Sequence, residues 1–410
     1  MKILAVAAAF ESQKFVGGYP PKGARLFLQP DIEICRLASL TNEDEFVYQD
    51  ERVEIIGQGD FQLVLVRIQF NQEESARPLV ERFTEIGIPV LVFGPQVTAW
   101  DDTEVPGWVK HMVRGDITLV WDRILQDCKS GKLQPLYSAP QEPHYVVPRF
   151  IFPQPLLMNN HYQAVQFVRG CACPLEFKKL CPEFLYYGER TAFRSRDEIV
   201  GEVVSLPGKY IHLLDDDVAC APDYYYKLFA HLWRYRRHWR VNAGEHLFDY
   251  PALIRLLSKA GVKIIFLNET FLNSRLEQAL TSEAMVKYLY RRVKFLQSRR
   301  MLVGARLVLP ATGVDFRQIA NVLTRIDLDF IEPRFVAIDH EGQPRLVPVC
   351  YHPMVQSDEP GWLMSRFYAF DLLVDRFVRR PRRVGFHSTL WYLIPYSLAY
   401  RQNFLEGIPI

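Results

Sequence analysis

The sequence predicts an α/β chain in two parts, a Rossmann-like doubly wound parallel sheet and a second series of βα units, closed by a C-terminal cap. Three observations predict it. Continuous apolar runs recur along the chain, as in strands buried on both faces. Helix-length segments separate these runs, which calls for parallel strands joined by crossovers. A stretch with prolines at 140, 143, 148, 153 and 155 divides the series.

The elements follow in order. Residues 1–10 read as a buried strand ending at Phe10, and a Gly- and Pro-rich loop spans 16–25. A helix-like segment (26–40) and a strand-like one (45–51) come next. Leu63 to Val66 reads as a strand, 76–86 as a helix, and Pro89 to Phe93 as a strand running into Gly94-Pro95-Gln96-Val97-Thr98. In such a sheet, ligands sit at the C-terminal ends of the strands. After the linker, Ala164 to Val168 starts a second alternation: helix 197–205, strand 210–214, helix 223–237, strand 239–243, helix 250–260, strand 262–267, helix 281–300, strand 302–309, helix 315–325 and strand 330–336. The expected division is 1–137 for the first domain, 138–160 for the linker, 161–340 for the second domain and 341–410 for the cap. Trp391 to Tyr400 is the apolar segment expected to cover the mouth of the second domain.

Composition excludes several classes. With 410 residues, 49% of them hydrophobic and a net charge of +2, the chain has ordinary globular character and no nucleic-acid footprint. The basic run Phe377 to Arg383 is too small to change that and reads as a solvated face. No signal peptide and no membrane span are expected, and seven cysteines without paired spacing point to a reducing, cytoplasmic setting. The 27 Phe and 20 Tyr are enough to line an apolar substrate cavity besides filling cores.

The chemistry concentrates in one stretch. Cys171, Cys173 and Cys181 follow directly on a strand that ends in Arg169-Gly170. Clustered thiolates at the C-terminal end of a strand suit zinc or an iron–sulfur cluster. Acidic residues recur at the ends of later strands: Asp215-Asp216-Asp217, Glu245 beside His246, and Glu269. The aspartates also read as an N-cap cluster before Pro222, and Glu245-His246 as a general base or metal pair.

These motifs resemble those of the cobalamin (B12)-binding branch of the radical S-adenosylmethionine (SAM) enzymes. There a strand ends in Arg-Gly-Cys, and Gly-Arg and Arg-x-Arg-Ser segments follow the last cluster cysteine. Here Tyr187-Gly188-Glu189-Arg190 and Phe193-Arg194-Ser195-Arg196 stand in that place. In the first half, Phe93-Gly94-Pro95-Gln96-Val97-Thr98, Val113-Arg114-Gly115-Asp116 and Gly131 to Tyr137 are similar to the family's cobalamin-domain signature. The spacing departs from the family: C-x-C-x7-C replaces C-x3-C-x2-C, so Leu175 and Lys178 occupy the standard cysteine slots. The Asp-x-His-x-x-Gly motif that supplies an axial imidazole to cobalt is also absent, and Arg67-Ile-Gln-Phe-Asn-Gln72 stands there instead.

The resemblance implies a B12-binding-type first domain and a partial (βα)6 radical SAM barrel. It implies a [4Fe–4S] cluster on Cys171, Cys173 and Cys181, with cobalamin near Gly94, Pro95, Gln96, Thr98, Gly115 and Asp116. It also implies SAM near Asp215, Asp216, Asp217, Glu245 and Glu269. The activity it implies is radical generation from SAM, driven by an external electron donor. Methyl transfer to, or ring closure at, an unactivated carbon of a small apolar or polycyclic molecule would follow. Two other readings stand beside it. One is a degenerate corrinoid- or tetrapyrrole-binding member without radical chemistry. The other is a zinc protein using the three cysteines with His212 or His246.

Overall fold

A computed structural model describes residues 1–10, 14, 29–142, 163–170, 181–338, 344–347 and 360–405. By its contacts the chain forms two compact units. The first comprises 1–21, 28–160 and 167–206, and the second 22–27, 161–166 and 207–410. By contact, the described residues 167–170 and 181–206 group with the N-terminal unit.

The first unit is built on a six-stranded sheet of β1 (Lys2–Ala7), β2 (Glu45–Asp50), β3 (Leu63–Arg67), β4 (Val90–Phe93), β5 (His111–Arg114) and β6 (Leu136–Ser138), in the order β2-β1-β3-β4-β5-β6. Every pairing in it is parallel. Both faces are apolar, so the strands read as continuous hydrophobic runs. On one face Ile3, Ala5, Leu65 and Leu91 pack with Ile34 and Leu37 of helix α1 (Ile32–Leu40), and with Trp121 and Ile124 of a later helix. On the other, Leu4, Val6, Val64 and Val66 pack with Leu79, Val80 and Phe83 of α2 (Glu73–Glu85). Helix α3 (Pro95–Ala99) follows β4, and α4 (Trp121–Lys129) follows β5. The order reverses between β1 and β3, and in doubly wound sheets the crevice outside the strand ends at such a reversal is where ligands bind.

The second unit carries β7 (Gln163–Val165) at one edge of a sheet. Between β7 and the rest of that sheet, the chain passes through a short hairpin of the first unit, β8 (Val168–Arg169) and β9 (Ala192–Phe193). That passage also holds α5 (Pro182–Tyr187) and α6 (Arg196–Ser205). The sheet continues with β10 (Tyr210–Leu213), α7 (Pro222–Leu232), β11 (His238–Ala243), α8 (Pro251–Lys259) and β12 (Val262–Leu267). Then come α9 (Glu269–Thr281), α10 (Glu283–Ser298), β13 (Leu302–Pro310), α11 (Phe316–Ile326) and β14 (Phe330–Ile338). The six strands β7, β10, β11, β12, β13 and β14 are parallel, matching the expected (βα)6 array. A further strand, β15 (Pro344–Val347), adds antiparallel to β14 at the edge.

Two details differ from the sequence reading. The expected helix over 281–300 is α10, capped by Ser282, whose side chain accepts the Met285 N–H, and a further helix, α9, precedes it where none was expected. The aspartate run does not cap α7: its N-cap is Ala221, without a side-chain bond.

The cap comprises α12 (Pro360–Phe367), α13 (Phe370–Arg379), α14 (Pro381–Val384) and α15 (Ile394–Leu405), with a π-helical turn over Thr389–Leu393. Its buried tyrosines enter the second unit. Tyr392 packs on Tyr210 at 5.9 Å and on His238 at 6.0 Å, and these residues begin β10 and β11. Tyr396 and Tyr400 each lie 5.9 Å from Phe330. The expectation of a lid over the strands' C-terminal mouth is corrected for Tyr392, which reaches the opposite, N-terminal end.

Candidate functional site

The first sheet brings together most of the residues singled out in its half of the chain. Gly94 ends β4 at φ +120°, where a Cβ would lie 2.5 Å from the Ile68 carbonyl oxygen. Only glycine fits there. Gly115 ends β5 at φ +85°, against Ala139. Both glycines thus make room for protein backbone. Thr98 links them: its hydroxyl donates to the Gly94 carbonyl at 3.0 Å and accepts the Gly115 N–H at 3.0 Å. Pro95 is buried at the first position of α3, and the Gln96 side-chain oxygen accepts the Asn71 N–H at 3.0 Å. The loop that replaces the axial-histidine motif is therefore tied to α3.

Arg67 ends β3 at the topological reversal. It is buried, 2.8 Å from Asp31 and 2.8 Å from Glu33. Burial alone would lower its pKa, but these two carboxylates raise it above the ordinary arginine value. Asp116, expected at a cofactor, is 3% exposed and committed to protein donors. One oxygen accepts the Thr118 N–H (3.0 Å) and hydroxyl (2.6 Å), and the other accepts Arg169 Nη1 (2.5 Å) and the Tyr187 hydroxyl (2.7 Å). Burial would raise its pKa. Arg169, Thr118 and Tyr187 hold it below the usual carboxylate range.

Cys171 and Cys173 lie outside the described residues, as do Leu175 and Lys178. Cys181 is described: it is half-buried and precedes Pro182, which opens α5. At the other end of the loop Gly170 has φ +83°, and a Cβ there would overlap the Arg190 carbonyl oxygen. The Gly170 N–H donates to Glu183 at 2.8 Å. The Arg-Ser pair downstream has local roles. Ser195 and Glu198 form a capping box on α6, and Arg194 pairs with Glu202.

In the second sheet the aspartates stand where β10 ends. Asp215 accepts the Tyr225 hydroxyl at 2.7 Å. Asp217 accepts the Ala219 and Gly244 N–H groups, both at 2.7 Å, yet burial still raises its pKa. The Asp215 and Asp216 carbonyls accept the side-chain amides of Asn242 and Asn268, at 2.9 and 3.2 Å, so one run stitches the ends of three adjacent strands. Glu245 follows β11 and pairs with Arg275, and Glu269 opens α9. His246 is exposed, 3.3 Å from Asp249, whereas His212 is buried on β10. Burial, then Arg240 and Arg306, push the His212 pKa well down. Among the described residues no three His, Cys, Asp or Glu side chains converge as a metal site.

Sequence reading missed Arg306, Glu332 and Arg240. Arg240 meets Glu332 at 2.6 Å, and Arg306 lies 3.6 Å from Glu332 and 3.3 Å from Asp216. Burial would raise the Glu332 pKa, but the two guanidiniums lower it. The signal was there: each is a charged residue set within a mostly apolar strand, where a charge is rarely buried unless paired. A candidate ligand edge therefore carries Asp216 and Arg306, with Glu269 close enough to raise the Arg306 pKa against its burial.

Comparison with solved structures bears directly on this arrangement. The radical SAM methyltransferase TsrM from Kitasatospora setae, with cobalamin and a [4Fe–4S] cluster bound, superposes with a TM-score of 0.60 at 14% identity. The match covers 83% of this chain and 73% of that one. The same enzyme with tryptophan substrate and the SAM analogue aza-SAM gives 0.59 at 14%, covering 81% and 72%. The cobalamin-dependent SAM radical enzyme OxsB with aqua-cobalamin gives 0.52 at 11%, covering 83% of this chain and 54% of OxsB. The fold is that of the cobalamin-dependent radical SAM enzymes. No protein-family model matches the chain, and no curated protein matches its sequence.

Within this radical SAM fold, the loop that follows β3 offers no histidine. Residues 68–72 are Ile68, Gln69, Phe70, Asn71 and Gln72, which offer amides and an aromatic ring. The donor set of the cysteine loop, three thiols, fits an iron–sulfur cluster with one iron left open.

Proposed function

We propose that the chain is a cobalamin-dependent radical SAM enzyme that modifies an unactivated carbon of a small molecule, with methyl transfer as the first reaction to test. The observation that carries this is the fold likeness over more than four-fifths of the chain, with a thiol-rich loop following β8. Cys171, Cys173 and Cys181 would hold the cluster. Cobalamin would lie at the edge formed by Gly94 to Thr98 and Gly115, and SAM beside Asp216, Glu269 and Arg306.

When bound, a reduced cluster supplies the electron that cleaves SAM, and cobalamin carries a methyl group. The chain's own residues bind and orient. Gly170 turns the backbone into the cysteine loop. The Asp215–Asp217 run fixes the ends of three strands, so the carboxylate of Asp216 and the guanidinium of Arg306 meet a ligand in a set geometry. No helix among the described residues is long and apolar enough to cross a membrane.

A second reading is favoured by Leu175 and Lys178 in the standard cysteine slots: a corrinoid-binding protein without radical chemistry. One experiment separates the two. The protein is purified and reconstituted anaerobically, assayed for iron, sulfide and corrinoid, then mixed with SAM and a strong reductant. Near four irons per chain and reductive SAM cleavage support the enzyme. Corrinoid uptake with no iron supports the second reading and overturns the first.

A further inference from the structure

The two ends of the cysteine loop converge on one carboxylate. Arg169 lies two residues before Cys171, and Tyr187 lies six residues after Cys181. Both bind the same oxygen of Asp116, Arg169 at 2.5 Å and Tyr187 at 2.7 Å. Thr118 holds the other oxygen through its N–H and hydroxyl. The Gly170–Glu183 bond, 2.8 Å, closes the loop's base a second time. Asp116, Arg169 and Tyr187 are 3%, 1% and 3% exposed, so water does not screen the anchor. The Arg169 guanidinium also lies 5.4 Å from the centre of the Tyr187 ring. Arg36, buried nearby, has its pKa lowered first by burial and then by Arg169. Two cations thus crowd this spot, and the Asp116 carboxylate is bonded to Arg169 there.

We propose that Asp116 is a positioning residue that pins the two flanks of the cysteine loop, Arg169 before it and Tyr187 after it, to the first sheet, and so sets the geometry of the cluster that the three cysteines would hold. The cluster half of this statement rests on the function proposed above; the anchoring half does not. Asp116 acts through Arg169 and Tyr187, since its carboxylate oxygens are fully engaged by protein donors. Neutralising it removes one charged partner of the buried Arg169, which breaks a buried pair from one side. Removing both charges together relieves that penalty, so the two substitutions are strongly non-additive.

The test uses the full chain as wild type, Asp116→Asn, Arg169→Gln, the double variant and Tyr187→Phe. Amide hydrogen exchange is read first, on iron-free protein. Asp116→Asn is expected to speed exchange about tenfold or more in peptides covering 167–170 and 181–187, with β3 and β4 peptides within about twofold of wild type. The double variant is expected to recover most of that loss. Tyr187→Phe, which removes one hydrogen bond and no charge, is expected to give a smaller change in the same peptides. Unchanged exchange at the loop flanks overturns the proposal, as does loss spread evenly over the sheet. Reconstituted protein is then examined by EPR. Asp116→Asn is expected to shift or broaden the reduced-cluster signal, and the double variant to restore it; a wild-type spectrum in Asp116→Asn overturns the positioning role. A wild-type chain that takes up no iron overturns the proposed function instead, and the exchange data decide the anchoring.

Discussion

Arg240 and Glu332, 92 residues apart in sequence and on the strands β11 and β14 of the second sheet, meet at 2.6 Å, and the Tyr400 hydroxyl donates to the same glutamate. Strands β12 and β13 lie between theirs; Arg240 is level with Ile264 and Glu332 with Arg306, so the two meet across the face of the sheet without being register partners. The side chains of Arg240 and Glu332 are 7% and 16% exposed, so the pair is largely withdrawn from water. Breaking such a pair from one side costs about 3–5 kcal/mol, whereas replacing both partners with apolar residues is nearly neutral. Glu332→Leu alone is therefore expected to lower the stability of the second unit by that order. Arg240→Met/Glu332→Leu should recover most of it. Urea denaturation of the four proteins of the cycle measures this, and additive losses would show that the pair is not coupled.

Much of the fold was legible because alternation of buried strands and amphipathic helices is a local property. The six parallel strands of the second sheet follow from apolar runs such as Val262 to Leu267. The helix Glu269–Thr281 was missed although Phe271, Leu272, Leu276 and Ala279 are all buried, because Asn268-Glu269-Thr270 was read as a strand end. At the site, Gly94 and Gly115 were legible, since a tight turn at positive φ selects glycine. The pairings of Asp116 with Arg169 and of Arg240 with Glu332 were not, because one sequence shows which charges exist and not which meet. Asp116 was accordingly expected to face a ligand, and the structure gives it Arg169, Tyr187 and Thr118. The apolarity of Trp391 to Tyr400 showed that the segment packs against the second domain but not at which end of the strands.

The cysteine assignment makes a sharp prediction about metal loss. Replacing Cys171, Cys173 or Cys181 with Ala should each lower iron and sulfide after anaerobic reconstitution to near background, because a three-thiolate cluster has no protein ligand to spare. Full iron content in Cys173→Ala would remove that residue from the ligand set. Zinc retained by the wild type, lost in each variant and accompanied by no sulfide, would instead favour a zinc site.

His238 gives the second unit a pH dependence. It is half-buried, and burial, followed by Lys263, His387 and Lys209, lowers its pKa from 6.5 to about 4. The other facing groups are Tyr210 and Tyr392, the latter hydrogen-bonded to Nδ1. A depressed folded-state pKa means the folded form favours neutral imidazole. The contribution is therefore fully present above about pH 6.5 and is lost as the pH falls toward 4. His238→Gln should flatten the fall in urea midpoint between pH 6.5 and 4 relative to wild type. Parallel curves for the two proteins would exclude His238 as the source.

Truncation after Gly385 separates a lid from a core element. A lid over the strands' C-terminal mouth would leave the barrel folded and uncouple SAM cleavage from product formation. The structure favours the other outcome. Tyr392, Tyr396 and Tyr400 are 1%, 2% and 0% exposed, Tyr400 stacks on Tyr368 at 5.4 Å, and its hydroxyl bonds Glu332 beneath Arg240. Large aromatic side chains lost from a core cost about 3–5 kcal/mol each, and three of them together approach the whole stability of a typical domain. The truncated chain should therefore lose the cooperative unfolding transition of the second unit, and the first unit should keep its own. Tyr400→Phe, which keeps the ring and removes one buried hydrogen bond to a charged group, should cost about 1.5–3 kcal/mol. A truncated protein that melts at the wild-type temperature in both transitions would restore the lid.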